Sequence, residues 1–482
     1  MSEATGTRLP KDRRASIAID LGAESCRVSL LRWREGTPQM ELVHRFGNGP
    51  VQREDGLHWP LNRIVEGVEE GLRMCAARAT EGVRSIAVDG WAVDYVRLNE
   101  DGVPLGEPFC YRDERNVRAE TELHKKISAQ RMREITGIQQ LSINTVYQLY
   151  ADRLAGYAPS RWLNLPEYVL SRLGGTPVAE FTNATHGQLI DLHSREWSPE
   201  IFREAGLSLE LAPKIVPPGT RLGKVSEALG ALDAFRDTEL IAPACHDTAS
   251  AIAGIPALGD DWAYISSGTW SLVGALTRQP VDSPGVRADN FTNLGAVGGA
   301  NCFHKNVNGM WLLKQCESAW AEQGFHPGVV ELLRCCEDVA PPETLLEVDD
   351  PDLLLMGEMP QRINRQLAAK GANLLDESPA GAPAMVSLIL HSLASRYAEV
   401  LASVQQHTGK KLRRLFVVGG GSRNTVLNRL TAEMTGLDVC CGSAESSTLG
   451  NFAVQLATLE SSYPPVSSEY AAEVYAWVRQ LS

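Results

Sequence analysis

Residues 16–33 read SIAIDLGAESCRVSLLRW. Two apolar runs, Ser16–Ile19 and Val28–Leu31, have the composition and length of strands. The polar loop between them holds Asp20, Gly22, Ser25 and Arg27. A plain hairpin needs only a turn. Here a carboxylate ends the first strand, and a glycine, a hydroxyl and an arginine follow it. Residues 262–277, WAYISSGTWSLVGALT, repeat the design with Ser266, Ser267, Gly268 and Thr269 in the loop. The two hairpins lie about half a chain apart, which predicts two domains of related architecture rather than a solenoid of short repeats.

The bulk composition agrees. A chain of 482 residues is too long for one core. Its hydrophobic fraction of 44% and charged fraction of 22% are those of an ordinary globular protein. A formal net charge of −13 argues against nucleic acid or a membrane surface as the main partner, although a local loop can still bind an anion. No apolar run reaches the length of a membrane span. The opening MSEATGTRLPKDRRAS is polar, so residues 1–15 read as a flexible leader and the protein as cytoplasmic. The ten cysteines then read as free thiols that fill the core, and no CxxC pair starts a zinc site. Asn183–Thr185, a glycosylation sequon only in a secreted protein, reads here as a loop.

The rest of the chain fits an α/β fold. RSIAVDGWAVDYVRL (84–98) reads as a strand carrying Asp89 and Asp94. Met385, Leu388, Ile389, Leu393, Tyr397, Val400, Leu401 and Val404 recur at helical spacing, and Gly409 is placed to cap that helix. RRLFVVGGGSRNTVLNRLTAEMTG (413–436) reads as a strand, a glycine turn and a helix starting right after Gly421. IAGIPALGDD (252–261) reads as the link between domains at 16–254 and 255–482.

Three loops then carry glycine where a ligand's backbone contact would need it: Asp20–Arg27, Ser266–Thr269 and Gly419–Gly421. Exposed N–H groups and a helix N-terminus bind phosphate oxygens, Arg27 adds charge, and Asp20 suits a hydrated magnesium. Taken singly, each loop also reads as no more than a tight turn. No GxxxxGK[ST] is present, and the glycine turn departs from a dinucleotide fingerprint at Asn424. IAPACHDTASA (241–251) offers Asp247 as a proton acceptor for a substrate hydroxyl. The alternative is that Asp247 or Thr248 caps a helix.

In order, the motifs DLGAESCR, HRFGNG, VDGWAVDYV, YRDER, NTVYQLYA, FTNATHGQL, HDTASA, SSGTWSLVG, KNVNGMWLL, VVGGGSRNTVLNRL and STLGN resemble the FGGY carbohydrate kinases of the actin-like ATPase superfamily. Within that family they look most like the rhamnulokinases, over about residues 16–460. The resemblance implies two actin-like, ribonuclease H-like α/β ATPase domains with a cleft between them. The N-terminal domain would hold the sugar and the C-terminal domain much of the ATP. It implies transfer of the γ-phosphoryl of MgATP to the 1-hydroxyl of L-rhamnulose, with Asp247 as base and His246, Thr248 and Asn306 at the sugar. Ala23, Glu24, Ser25, Cys26, Arg27 and Thr269 would face the phosphates, with Gly420 and Asn424 by the nucleotide.

Three positions depart from the pattern. Ala92 in DGWA replaces a glycine near the sugar, Cys26 replaces a glycine in the first phosphate loop, and Lys314 replaces a glutamine associated with ATP. Another ketose, a nucleotide-binding regulator without turnover, or a dinucleotide-dependent dehydrogenase are the competing readings.

Overall fold

The computed structural model describes residues 8–157 and 160–482, without the side chain of Glu227. Strand β1, Ala15–Leu21, is buried at all seven positions. It pairs antiparallel with β2, Ser25–Arg34, in a register that sets Asp20 opposite Arg27. Strand β3 (Thr37–Gly47) lies beyond β2, and β4 (Val83–Gly90) runs parallel to β1 on its other side, with Asp20 beside Asp89. With β5 (Thr220–Lys224) and β6 (Glu239–Ala242) the sheet order is β5-β6-β4-β1-β2-β3.

Side chains alternate across a strand, so β1 serves two layers. Ile17, Ile19 and Leu21 join a core with Ile64, Val68 and Leu72 of helix α1 (Leu61–Arg78). The opposite face of β1 carries Ser16, Ala18 and Asp20, and the matched positions of β4 carry Ser85, Ala87 and Asp89. Ala18 on that face belongs to the core formed by α2 (Asp247–Ala253) with the C-terminal helices Ser446–Glu460 and Ser468–Leu481. Small side chains here admit a close helix. At Gly450 of that layer a Cβ would lie 1.9 Å from the Ser250 carbonyl oxygen of α2.

The second hairpin forms as its sequence predicts. Strand β7 (Trp262–Ser267) pairs antiparallel with β8 (Trp270–Thr277) and parallel with the strand Arg414–Val418. With β9 (Asn301–Asn308), β10 (Arg414–Val418) and β11 (Asp438–Cys441), five consecutive strands of this sheet run β9-β8-β7-β10-β11. Helix α3, Ala382–Thr408, carries the predicted apolar stripe and ends at Gly409 in the left-handed conformation, φ 70°. Helix α4 is Thr425–Thr435, α5 is Ser446–Glu460 and α6 is Ser468–Leu481.

The chain divides into two compact units. One comprises the chain up to Leu258 together with Leu276–Cys302 and Glu445–Ser482; the other comprises Gly259–Ala275 and Phe303–Ala444. Residues 1–7 of the expected leader lie outside the described residues. Of the remainder, Arg8 pairs with Glu473, and Arg84 donates to the Asp12 carbonyl at 2.7 Å.

Four local expectations are corrected. Residues 84–98 are two strands: β4 stops at Gly90, and Tyr95–Leu98 pairs with Arg161–Asn164 in a separate ladder. Helix α4 does not start after Gly421, because a 3-10 turn, Gly420–Arg423, intervenes. Asn183 is not in a loop; it sits 1% exposed in the helical turn Phe181–Ala184 and donates to Glu167. The cysteines are unbridged, but only seven are buried; Cys335 and Cys440 are half-buried and Cys441 is exposed.

Candidate active site

Three carboxylates meet in the first unit. Asp20 and Asp89 end the neighbouring parallel strands β1 and β4. Beyond β4, Gly90 bridges to His246 and its N–H donates to the Cys245 carbonyl at 2.9 Å, which brings Asp247 to the same end of the sheet. The strand ends thus converge because the sheet register and one backbone bridge fix them, not because the side chains attract.

Each acid has its own surroundings. Asp20 is 5% exposed; its Oδ2 lies 3.3 Å from the Arg27 guanidinium and accepts the Ser447 hydroxyl at 3.0 Å. Burial raises its pKa, while the Arg27 charge and the Ser447 hydrogen bond oppose the rise. Asp89 is fully buried and its Oδ2 accepts from Asn451 at 2.6 Å. Burial, then the neighbouring Asp20 charge, pushes its pKa well above the usual carboxylate range. Its Oδ1 has no hydrogen-bond partner among the described residues.

Asp247 is the first residue of α2, and its side chain is 35% exposed. Its Oδ1 lies 3.3 Å from His246 Nε2 and accepts the Thr248 hydroxyl at 3.2 Å. The Thr248 hydroxyl and the nearby His246 ring thus lie at Oδ1, and the backbone N–H of Thr248 also supports the carboxyl. Burial of the group, then the Asp20 charge, raises its pKa to about 7. The N-cap of α2 is His246, which makes no side-chain cap, and Asp247 is the acidic residue of the first turn.

The opening loop is explained by sterics and charge together. A Cβ at Gly22 would fall 2.4 Å from the Ser25 carbonyl oxygen, so the turn demands glycine. Arg27 offsets Asp20 across the hairpin and also approaches Glu445 at 3.5 Å. Ala23 and Ser25 are half-buried and Glu24 is exposed, on the rim of this turn. The Cys26 thiol instead points into the core, where burial pushes its pKa to about 12, so only its backbone can face a ligand. Ala92 is 8% exposed in the segment after β4, next to Val93, whose φ of 72° is strained for a β-branched residue.

The second unit assembles another set. The Gly268 and Thr269 carbonyls accept from the N–H groups of Met310 and Trp311 at 3.0 and 3.2 Å. Gly309 permits this approach, since a Cβ there would meet those carbonyls at 2.7–2.8 Å. Gly419 (φ 80°) and Gly421 lie against Ser267, while a Cβ on Gly420 would meet nothing within 4 Å and faces open space. Thr269 and Gly420 therefore belong to converging loops. Asn424 is buried and caps α4 by accepting the Leu427 N–H at 3.0 Å. Lys314 is exposed on the helix Trp311–Ala321, and Asn306 is half-buried on β9.

Ser447 and Asn451 were given no role by the sequence. They stand one helical turn apart on α5 and hold Asp20 and Asp89 respectively. STLGN holds a serine and an asparagine four residues apart, but on a helix with several other polar residues that spacing alone singles out neither. Asn451 continues inward to Gln455, Ser85 and Ser16 through buried hydrogen bonds of 2.7–2.9 Å.

Buried acids, with the Asp20 charge raising the pKa of both Asp89 and Asp247, suit a cation. Among the described residues no group of three or more His, Cys, Asp or Glu is arranged to hold a metal ion directly. Magnesium, however, keeps several waters and needs only one or two carboxylates. The unpartnered Asp89 Oδ1 beside Asp20 fits that requirement. No helix among the described residues is long and apolar enough to cross a membrane.

The chain is similar to known proteins along most of its length. The sequence model of the N-terminal domain of the FGGY family of carbohydrate kinases matches residues 15–254, and that of the C-terminal domain matches 263–459. The chain is 34% identical to a rhamnulokinase of Bacteroides thetaiotaomicron over 446 residues, covering 92% of this chain and 90% of that one. It is 35% identical to a rhamnulokinase of Enterococcus faecalis over 453 residues, covering 92% and 89%. Among solved structures, the xylulose kinase from Rhodospirillum rubrum superposes with a TM-score of 0.75 at 16% identity, covering 97% of both chains. The gluconate kinase from Lactobacillus acidophilus gives 0.75 at 14% identity, covering 97% and 96%. The fold is that of the actin-like ATPases, ATP is the phosphate donor, and the chain belongs to the FGGY family of carbohydrate kinases.

Proposed function

We propose that this kinase phosphorylates the 1-hydroxyl of L-rhamnulose with MgATP, giving L-rhamnulose 1-phosphate and ADP. The observation that carries the reaction is the Asp247 carboxyl, 35% exposed at the start of α2, with its Oδ1 held by the Thr248 hydroxyl and its pKa raised to about 7 by burial and the Asp20 charge. The choice of sugar is supported by the rhamnulokinases that are 34% and 35% identical to the chain. Ala92 stands where those enzymes are expected to carry glycine, and a methyl in a pocket shifts substrate preference by roughly 1–3 kcal/mol. L-Fuculose or a pentulose is therefore the competing substrate.

In this mechanism Asp247 Oδ2 accepts the proton of the sugar hydroxyl. The freed oxygen forms a bond to the γ-phosphorus, the bond from that phosphorus to the β–γ bridging oxygen breaks, and ADP leaves with the electron pair. His246 and Thr248 keep Oδ1 engaged so that the carboxylate does not rotate away. On the first unit, Arg27 and the backbone N–H groups of Ala23–Cys26 would offset phosphate charge; the family resemblance gives Thr269 and Gly420 of the second unit to the nucleotide. Asp20 and Asp89 would hold magnesium through its waters, and that ion would supply positive charge to the phosphates. The family resemblance gives Asn306 to the sugar.

The experiment is an ADP-release screen over L-rhamnulose, L-fuculose, L-ribulose, L-xylulose, D-xylulose and glycerol. The highest kcat/KM is expected for L-rhamnulose. A higher value for another ketose reassigns the substrate, and turnover of none removes the catalytic reading.

A further inference from the structure

The sequence singled out FTNATHGQL only as part of a resemblance. In the structure this segment underlies the catalytic turn. Glu180 is fully buried; its Oε2 accepts the Cys245 N–H at 2.8 Å and the Thr182 hydroxyl at 2.5 Å. The Thr182 oxygen in turn accepts the His246 N–H at 3.3 Å. The backbone of the turn is thereby fixed from below.

His186 extends the same segment to the side chains. Its Nε2 lies 3.1 Å from His246 Nδ1, and the two rings meet edge to face with centroids 4.1 Å apart. His246 Nε2 lies 3.3 Å from Asp247 Oδ1. A neutral imidazole donates from one nitrogen and accepts at the other. An ionised Asp247 only accepts, so a neutral His246 that donates to it carries its proton on Nε2 and accepts at Nδ1. The donor to Nδ1 is then the Nε2–H of His186. Each link fixes the next, and the chain runs in one direction, from His186 to the base.

We propose that His186 is a positioning residue for phosphoryl transfer: by donating to His246 it fixes the tautomer that holds Asp247 Oδ1, leaving Oδ2 to take the sugar proton. It touches neither the sugar nor the nucleotide in this scheme. Burial and the adjacent His246 push the His186 pKa well below its usual value, which keeps its ring neutral. The titratable groups around the pair are Asp247 with Asp20 beyond it, and on the other side Glu180, reached through the Thr182 hydroxyl, with Glu167 below it. An imidazole left to choose its tautomer turns a lone pair toward the carboxylate in part of the population. Asp247 then loses a donor, and its proton affinity rises.

This inference rests on Asp247 being the base. The test compares His186→Leu, which cannot donate, with His186→Gln, which can. Both are assayed on the ketose that the wild-type enzyme turns over best, with ADP binding as a check on folding. His186→Leu is expected to lose on the order of 10–100-fold in kcat and to move the midpoint of the pH–rate curve upward. His186→Gln is expected to stay within about threefold of wild type with an unmoved midpoint. Equal behaviour of the two variants, or a loss in His186→Leu without a shifted midpoint, overturns the proposal. Selective nitrogen-15 labelling of histidine in the unaltered protein gives a readout independent of activity and of folding of the variants. Nε2–H tautomers at both His186 and His246 support the proposal; an Nδ1–H tautomer at His246 overturns it, whatever sugar the enzyme uses. An Asp247→Asn enzyme with normal turnover would instead remove the base itself.

Discussion

Lowering the pH from 8 to 6 should cost this enzyme about tenfold in kcat/KM. The reasoning starts from Asp247, whose pKa is raised to about 7 by burial and by Asp20. A general base works only when ionised, and kcat/KM reports the ionisation of the free enzyme. With a midpoint of about 7, roughly nine-tenths of the carboxyl groups are ionised at pH 8, about half at pH 7 and about one-tenth at pH 6. Activity therefore falls as pH falls, and approaches one decade per unit below the midpoint. An aspartate with the ordinary value near 3.9 would be fully ionised over the whole range and give a flat profile. The assay is coupled ADP release at low ketose and saturating MgATP, with the coupling enzymes in excess at each pH. Thr248→Val removes the hydroxyl that donates to Oδ1, so it should move the midpoint upward. A profile flat between pH 6 and 8, or a midpoint moved downward by Thr248→Val, would refute the reasoning.

Two further outcomes test the remaining parts. Asp20→Asn removes a buried carboxylate beside Asp89 and Arg27, and should raise the magnesium concentration for half-maximal rate while sugar affinity stays near wild type. A magnesium titration with a parallel thermal melt separates this from a turn-stabilising role, which would lower Tm and leave the magnesium requirement unchanged. In the second unit, Gly421→Ala would place a Cβ 2.0 Å from Ser267 Oγ, so it should weaken ADP binding measured by calorimetry and cost about 1–3 kcal/mol in stability. Unchanged affinity and Tm would show that this loop yields without consequence.

Much of the architecture was legible because its signals are local. The two hairpins are short apolar runs around polar loops, and the Gly409 stop closes a long apolar stripe. What misled was local too. VDGWAVDYV looks continuous, but the chain leaves the sheet after Gly90, passes through the left-handed Val93, and begins a new ladder at Tyr95. The glycines of GGGSRN tighten into a 3-10 turn before α4 can start.

At the site, Asp20 and Asp247 could be found because each ends an apolar run with a charge. Asp89 was noticed without being assigned, since its meaning depends on register with Asp20 across a parallel pair. His186, Ser447 and Asn451 could not be assigned from spacing at all. They reach the carboxylates from segments 60, 427 and 362 residues away, and only the packed sheet and α5 bring them there. Cys26 shows the reverse: its place in the phosphate loop suggested a contact, but β-strand alternation turns its side chain inward.

The central claim is that Asp247 takes the proton from the sugar. Asp247→Asn keeps the size of the side chain and removes its basicity. Single-turnover phosphorylation of L-rhamnulose, alongside calorimetric ADP binding, measures both halves of the claim. The account predicts ADP affinity unchanged and the transfer rate lower by on the order of 10²–10⁴. A transfer rate near that of the wild type, with ADP still bound, would contradict it.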